Sequence, residues 1–289
     1  MSYKHLVVGG CSFSESHHPW AYELGINHQN VSNLARGGCG NEFIRRQIIH
    51  GVSELLERGI PSNEILVGAQ WTGTARIDLF VTKEETVTEN KFHTDFQIDN
   101  LGHQTHPANS GSVEWDWNND KHDYGWIHSG GGNNFVTEWE TKTFQDRFFQ
   151  NYFKYFMTHD IAWNNFLNNV LTLQWFCQSN NISYFNFTGW NNVQNDNGMT
   201  YETPRIEEYS HSKHLWNRVE QNNFIFIESG ICNITPNIAK NDKVSPYGGM
   251  WQYLAKHGGI NWDNDHPSDD GQIIWGNFLS KKLKDRKII

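Results

Sequence analysis

The chain opens with short apolar runs, each ended or interrupted by glycine. Leu6-Val7-Val8 runs into Gly9-Gly10 and reads as a buried parallel strand entering a tight turn. Val31-Ser32-Asn33-Leu34-Ala35 reads as a second strand, followed by Arg36-Gly37-Gly38-Cys39-Gly40-Asn41. Glu64 to Trp71 is a third, with Gly68 near its end. Between them, Pro19 to Gly25 predicts a short helix. From Asn41 to about Arg58, the spacing of Phe43, Ile44, Ile48, Val52, Leu55 and Leu56 predicts a longer one, with Gly59 as its stop. Strand, helix, strand, helix, strand is the signature of a parallel sheet with helices on both faces.

The rhythm breaks over 78–140, where Asn, Asp, Gly, His and Trp dominate, as in Trp115-Asp116-Trp117-Asn118-Asn119-Asp120. Polar stretches of this length are uncommon in compact domains and are usually functional when ordered, so 78–140 is read as an insertion shaping a pocket. Helical texture returns from Phe144 to Ser179. Phe148, Tyr152, Tyr155 and Phe156 fit one helix face, and Phe166, Val170, Leu173 and Cys177 fit the next. Ile182 to Phe187 alternates like a strand, with turn residues at Gly189, Asn191 and Asn192, and Phe224 to Ile227 is a further candidate strand. Gly249 to Ala255 reads as a short helix, and Asp269 to Leu283 as a closing helix with Ser268 as its N-cap. The expected fold is a three-layer α/β/α sandwich, formed by residues 1–289 as a single domain around a flavodoxin-like parallel sheet of about five strands. The long polar insertion follows the third strand, over the C-terminal edge of the sheet.

Composition narrows the partners. With 289 residues the chain is long enough to bury a sizeable core without disulfides or metals. The formal net charge of −9, with no Lys/Arg-rich stripe, excludes a nucleic-acid backbone as an expected partner. The basic tail from Lys281 to Lys287 reads as a solvated end. Cys11, Cys39, Cys177 and Cys232 form no C-x-x-C pair and suit a reduced compartment. No signal peptide or membrane-length apolar run is visible, so the expectation is a soluble protein made in the cytoplasm, with no membrane partner. Release by lysis or inclusion in a larger particle stays compatible with this. The sequence carries no signal for oligomeric state. The 13 Trp, 10 Tyr and 18 Phe have two readings: packing in the core, or aromatic surfaces that suit sugar rings beside Asn and Asp.

The chemistry centres on Ser12. A serine in a tight turn after a buried strand presents its hydroxyl at the C-terminal edge of the sheet, where α/β folds bind ligands. The hydroxyl needs a base, and His266 supplies one. Asp263, three residues earlier, is the candidate orienter, and Asp265 competes with it. The backbone N–H groups of Ser12 and Gly38 are candidate oxyanion donors, with the side-chain amide of Gln70 as a third. Asn41, Trp71 and Arg76 are candidate substrate-binding residues. Asn41 has a helix cap as its alternative, and Arg76 a surface ion pair. Ser14 is a rival hydroxyl or an N-cap, and Cys11 a small buried residue under the turn or a rival nucleophile. His17 and His18, His103 and His106, and His122 with Asp123 and His128 lack the order of known zinc motifs, so no metal and no cofactor is expected.

In their order along the chain, Gly10-x-Ser12, Asn33-x-x-x-x-Gly38, Gly68-x-Gln70 and Asp263-x-x-His266-Pro267 resemble the motifs of the SGNH (GDSL-type) hydrolase superfamily of esterases, lipases and carbohydrate deacetylases. The resemblance covers the first ~75 and last ~40 residues. It implies a flavodoxin-like fold, Ser12 as nucleophile, Gly38 and Gln70 as oxyanion donors, and His266 with Asp263 as base and orienter. Two positions depart from the family pattern. Cys11 stands where the family carries Asp before the nucleophile, and Gln70-Trp71 stands where it carries Asn-Asp.

The resulting expectation is a serine esterase that removes an acyl group, acetyl first among them, from a small-molecule or glycan ester through an acyl-serine intermediate. Two other readings fit the same residues. One is a glycan-binding or structural component of a phage-like particle that keeps the fold without turnover. The other is an acyltransferase.

Overall fold

The computed structural model of the protein describes residues 3–16, 19–74, 76–82, 97–98, 104–105, 124–129, 159–189, 210–229, 245–263 and 266–289. In chain order the strands are β1 (His5–Gly9), β2 (Val31–Asn33), β3 (Ile65–Trp71), β4 (Ile77–Thr82), β5 (Gln97–Ile98), β6 (Gln104–Thr105), β7 (Tyr124–Ser129), β8 (Ser183–Thr188), β9 (Ile227–Ser229), β10 (Ser245–Gly248), β11 (Ile260–Asn261) and β12 (His266–Pro267). The helices are α1 (Asn41–Glu57), α2 (His159–Ser179), α3 (Ser210–Trp216), α4 (Met250–His257) and α5 (Asp269–Asp285).

The central sheet has four parallel strands in the order β2-β1-β3-β8. Renumbered within the sheet this is 2-1-3-4, the flavodoxin-like doubly wound order. A fifth position is marked by a single parallel bridge between Asn186 and Phe224, with the Ile225 N–H donating to the Asn186 carbonyl at 2.7 Å. The strand expected over 224–227 stops there, because the chain turns away at Ile227 to pair antiparallel with β10.

Residue parity along the strands sets the three layers. Gly9 and Val7 face α1, so closely that a Cβ on Gly9 would lie 2.6 Å from Ile48. Trp71 meets Phe166 of α2 on this same side. Gly68 and its neighbour Phe185 face Trp20 on the other side. There Phe187 packs on Trp20 at 5.1 Å and on Trp275 of α5 at 5.2 Å between ring centroids. Trp20, Trp71, Trp163 and Trp275 are all buried, so much of the tryptophan content serves packing. Each of β1 and β3 is covered on both faces, which is why they read as continuous apolar runs.

The short helix expected over 19–25 is a single 3-10 turn, Trp20–Leu24, closed by Gly25 at φ 78°. The closing helix forms as expected, with Ser268 Oγ accepting from the Gly271 N–H at 3.0 Å. The segment expected to form the first helix after 144 lies outside the described residues up to 158, as do His17, His18, His103, His106, His122, Asp123 and Asp265. Most of 78–140 lies outside them too. Within it, β4 and β7 pair antiparallel from Ile77↔Ser129 to Thr82↔Tyr124. Among the described residues no helix is long and apolar enough to cross a membrane.

Candidate active site

β1 delivers the chain into a turn in which the N–H groups of Ser14 and Glu15 both donate to the Cys11 carbonyl, at 2.9 and 3.1 Å. Gln70, the penultimate residue of β3, sits beneath this turn with no exposure. Its Oε1 accepts from the Cys11 N–H at 2.9 Å and from Ser14 Oγ at 3.1 Å. Its Nε2 donates to Cys11 Sγ at 3.3 Å and to the Trp71 carbonyl at 3.0 Å. The Cys11 N–H, which needs an acceptor, fixes the orientation of the amide. Gln70 therefore does not reach the oxyanion position expected for it, since both of its N–H bonds are spent below the turn.

Cys11 and Gln70 touch each other through both the main chain and the sulfur. The longer Gln arm fits because glycines flank it. A Cβ on Gly10 would lie 2.8 Å from Gln70 Oε1, and one on Gly189 2.5 Å from Gln70 Nε2. Ser14, the other hydroxyl, is buried and accepts from Trp20 Nε1 at 2.9 Å, so it is neither a cap nor an accessible nucleophile. Cys11 is likewise fully buried, as the packing reading held.

Across from this turn, β11 and β12 form a short hairpin with Ile260↔Pro267 and Asn261↔His266 as its rungs. It places His266 Nε2 2.9 Å from Ser12 Oγ, with both residues partly exposed. The edge of the imidazole packs against Phe13 at 5.3 Å. Behind it, Gln272 of α5 ties the helix to the Ser12 turn: its Nε2 donates to the Phe13 carbonyl at 2.8 Å, and its Oε1 accepts from the Trp20 N–H at 3.2 Å. With the proton on Nδ1, Nε2 accepts the Ser12 hydroxyl hydrogen.

Asp263 is exposed, and its own N–H donates to Asn261 Oδ1 at 3.0 Å. Among the described residues, no hydrogen bond joins its carboxylate to His266. The expected pairing relied on a helix-like spacing of three residues. Here Asp263 lies in a turn after β11 and His266 in β12, so no helix stacks the two side chains.

The loop after β2 lies against Ser12, since a Cβ on Gly37 would come within 3.6 Å of Ser12 Cβ. Gly38 adopts φ 79°, a left-handed conformation suited to glycine. Among the described residues, the N–H groups of Ser12 and Gly38 pair with no acceptor. Three residues brace the loop. Asn33 Nδ2 donates to the Ser14 carbonyl at 2.8 Å. Glu15 Oε2 accepts from the Gly37 N–H. Arg76 Nη1 donates to the Cys39 carbonyl at 3.3 Å, so this guanidinium supports the loop from behind. Burial holds the Glu15 carboxyl above its ordinary range, partly offset by the Gly37 hydrogen bond and by Arg36.

Asn41 and Trp71, two of the expected substrate contacts, face the interior. Asn41 clasps the end of β3, with Oδ1 accepting from the Thr72 N–H at 2.9 Å and Nδ2 donating to the Thr72 and Gly73 carbonyls. It is the first residue of α1 rather than its cap. Trp71 is fully buried and donates from Nε1 to Asn186 Oδ1 at 3.0 Å. The capping of α1 falls to Asp78, whose carboxylate accepts from the N–H groups of Gly40 at 2.7 Å and Phe43 at 2.8 Å. Asp78, Glu15 and Gln272 are the residues that sequence reasoning missed. Their partners are distant or backbone groups, which leave no local motif. Among the described residues, no group of three or more His, Cys, Asp or Glu gathers in the manner of a metal site.

The fold and site together define an α/β protein of flavodoxin-like strand order with a Ser–His pair at the C-terminal edge of its sheet. No protein-family model matches the chain, and no curated protein matches it in sequence. Among solved structures, it is similar to the protein YXIM from Bacillus subtilis, with a TM-score of 0.40 and 11% identity. The match covers 100% of this chain and 58% of that one, so this chain spans little more than half the length of that protein.

Proposed function

We propose that the protein is a divergent serine esterase of the SGNH type that deacylates, and first of all deacetylates, a carbohydrate. The observation that carries the reading is the 2.9 Å approach of His266 Nε2 to Ser12 Oγ. Ser12 Oγ attacks the ester carbonyl as its proton passes to His266 Nε2. Negative charge on the carbonyl oxygen is met by the N–H groups of Ser12 and Gly38. The C–O bond to the sugar breaks, and the departing alkoxide takes the proton from His266. Water, deprotonated by His266, then attacks the acyl-serine, the acid leaves, and Ser12 regains its proton. The residues named complete this cycle without a cofactor. Release of p-nitrophenol from p-nitrophenyl acetate, measured for the wild type and Ser12→Ala, tests the reading. Equal rates for the two would sink it.

A second reading, a glycan-binding or structural component of a phage-like particle without turnover, draws on Cys11 and Gln70, which stand where the SGNH pattern carries Asp and Asn and which pack on each other below the turn. A glycan-array signal retained by Ser12→Ala, with no ester release by the wild type, would favour it. Transfer of the acyl group to a sugar hydroxyl in place of water would use the same first half-reaction, and product analysis with and without an acceptor separates the two.

A further inference from the structure

Trp262 stands apart from the buried tryptophans. It is 50% exposed and immediately follows Asn261, the residue paired with His266 across the hairpin. Its ring meets that of Trp251 edge to face, with centroids 6.2 Å apart and planes at 87°. Trp251, on α4, is itself pinned: its N–H donates to the Gly189 carbonyl at 2.8 Å. A Cβ on Gly189 would lie 3.4 Å from the Phe13 ring, and Phe13 packs on His266. The exposed indole is thus joined to the Ser12–His266 pair by two short routes, one along the hairpin and one through α4.

We propose that Trp262, backed by Trp251, is a stacking platform for a pyranose ring of the substrate. This names the substrate class of the same site and rests on the esterase reading for which ester is cleaved. An aromatic face carries partial negative charge and attracts the polarised C–H bonds on the flat side of a sugar. Held edge-on by Trp251, the ring loses little rotamer freedom when a sugar binds. Asn261 and Asp263, both exposed and next to Trp262 in sequence, supply an amide N–H and a carboxylate for sugar hydroxyls, with Asn261 Oδ1 already held by the Asp263 N–H. The Asp263 carboxylate, which does not hold His266, has a use here as an acceptor. One indole flanked by polar groups is far smaller than a stable protein interface, which needs roughly 1,000 Å². The net charge of −9 favours a neutral ligand over a polyanion.

The test uses binding, so that it does not depend on turnover. O-acetylated xylo-, cello- and chito-oligosaccharides are titrated against Ser12→Ala by calorimetry and saturation-transfer NMR. The titrations are repeated with Trp262→Ala, Trp262→Phe or Trp175→Ala added. Trp175 is the comparison because it is equally exposed, at 53%, but lies on α2 in the opposite layer. The expected result is binding of at least one oligosaccharide, weakened about tenfold by Trp262→Ala, partly restored by Trp262→Phe and unaffected by Trp175→Ala. Thermal unfolding of each variant checks that the fold is intact. Equal affinity with and without Trp262, or no binding by any oligosaccharide, overturns the platform. Binding through Trp262 without ester release by the wild type would leave the platform standing and remove the esterase reading. Turnover of p-nitrophenyl acetate with sugar binding indifferent to Trp262 would do the reverse.

Discussion

Ser12 and His266 meet at 2.9 Å but rest on supports of different kinds. Ser12 follows a strand in mid-sheet, and its turn is fastened from below by Gln70, from the side by Trp20 through Ser14, and from β2 by Asn33. Most of these bonds are buried and join residues far apart in the chain. His266 sits on a hairpin of two rungs whose outer residues Asn261, Trp262 and Asp263 are exposed. Its anchorage lies behind it, in the Ser268 cap and the Gln272 bridge. The hydroxyl is therefore held by mostly buried interactions, whereas the imidazole rides on an element with an exposed rim, the kind that local opening moves more readily.

The strongest challenge to this contrast is functional. Ser12→Ala and His266→Ala should each lower kcat/KM for p-nitrophenyl acetate by roughly a thousandfold or more, with unfolding midpoints near that of the wild type. A His266→Ala protein with most of its activity would show that the hairpin does not supply the base. Next in size is a stability difference. Gln70→Ala leaves the buried Cys11 N–H and Ser14 hydroxyl without their acceptor and should cost about 2–4 kcal/mol in urea unfolding. Asn261→Ala on the exposed hairpin should cost under about 1 kcal/mol. Similar losses at both positions would erase the distinction between the two supports.

Asp78→Ala removes the cap of α1 and should cost roughly 1–2 kcal/mol. Because Asp78 also holds the Gly40 N–H, it should lower kcat more than it raises KM. The smallest effect is pH-dependent. The Glu15 carboxyl is raised above 4.5 by burial, so the folded state holds its proton more tightly than the unfolded chain. Its contribution to stability falls as pH rises from 4.5 through the raised value, and is level on either side. Glu15→Gln should keep an acceptor for the Gly37 N–H and lose that slope. The wild type should therefore decline relative to the variant only across this window, as read from urea midpoints.

The parts of the molecule legible in the sequence were those set by local rules. Leu6-Val7-Val8, the Phe43–Leu55 periodicity and Ser268 before the closing helix each announce an element within a few residues. Ser12, Gly38 and His266 were legible because a turn after a strand, a left-handed glycine and a histidine before a helix carry their own constraints. Gln70 and Trp71 were misread for one reason: neighbours on a strand point to opposite faces, and both faces of β3 are covered, so neither side chain can reach a surface site. Asp78 and Glu15 could not be read, because each acts on backbone N–H groups more than twenty residues away.

The pairing of Ser12 with His266 also has a consequence in time. The two residues are 254 positions apart, and α5, which carries the chain onward from His266, docks against the turn at Trp20 so tightly that a Cβ on Gly276 would lie 2.4 Å from the Trp20 carbonyl. Chains emerge from the ribosome N-terminal end first, so a growing polypeptide presents its serine long before its histidine exists. Under the proposed reading, Ser12 gains its base only once His266 has been made and α5 clasps the turn at Trp20. On that reading, reactivity at Ser12 would report that the two distant segments carrying the pair have met.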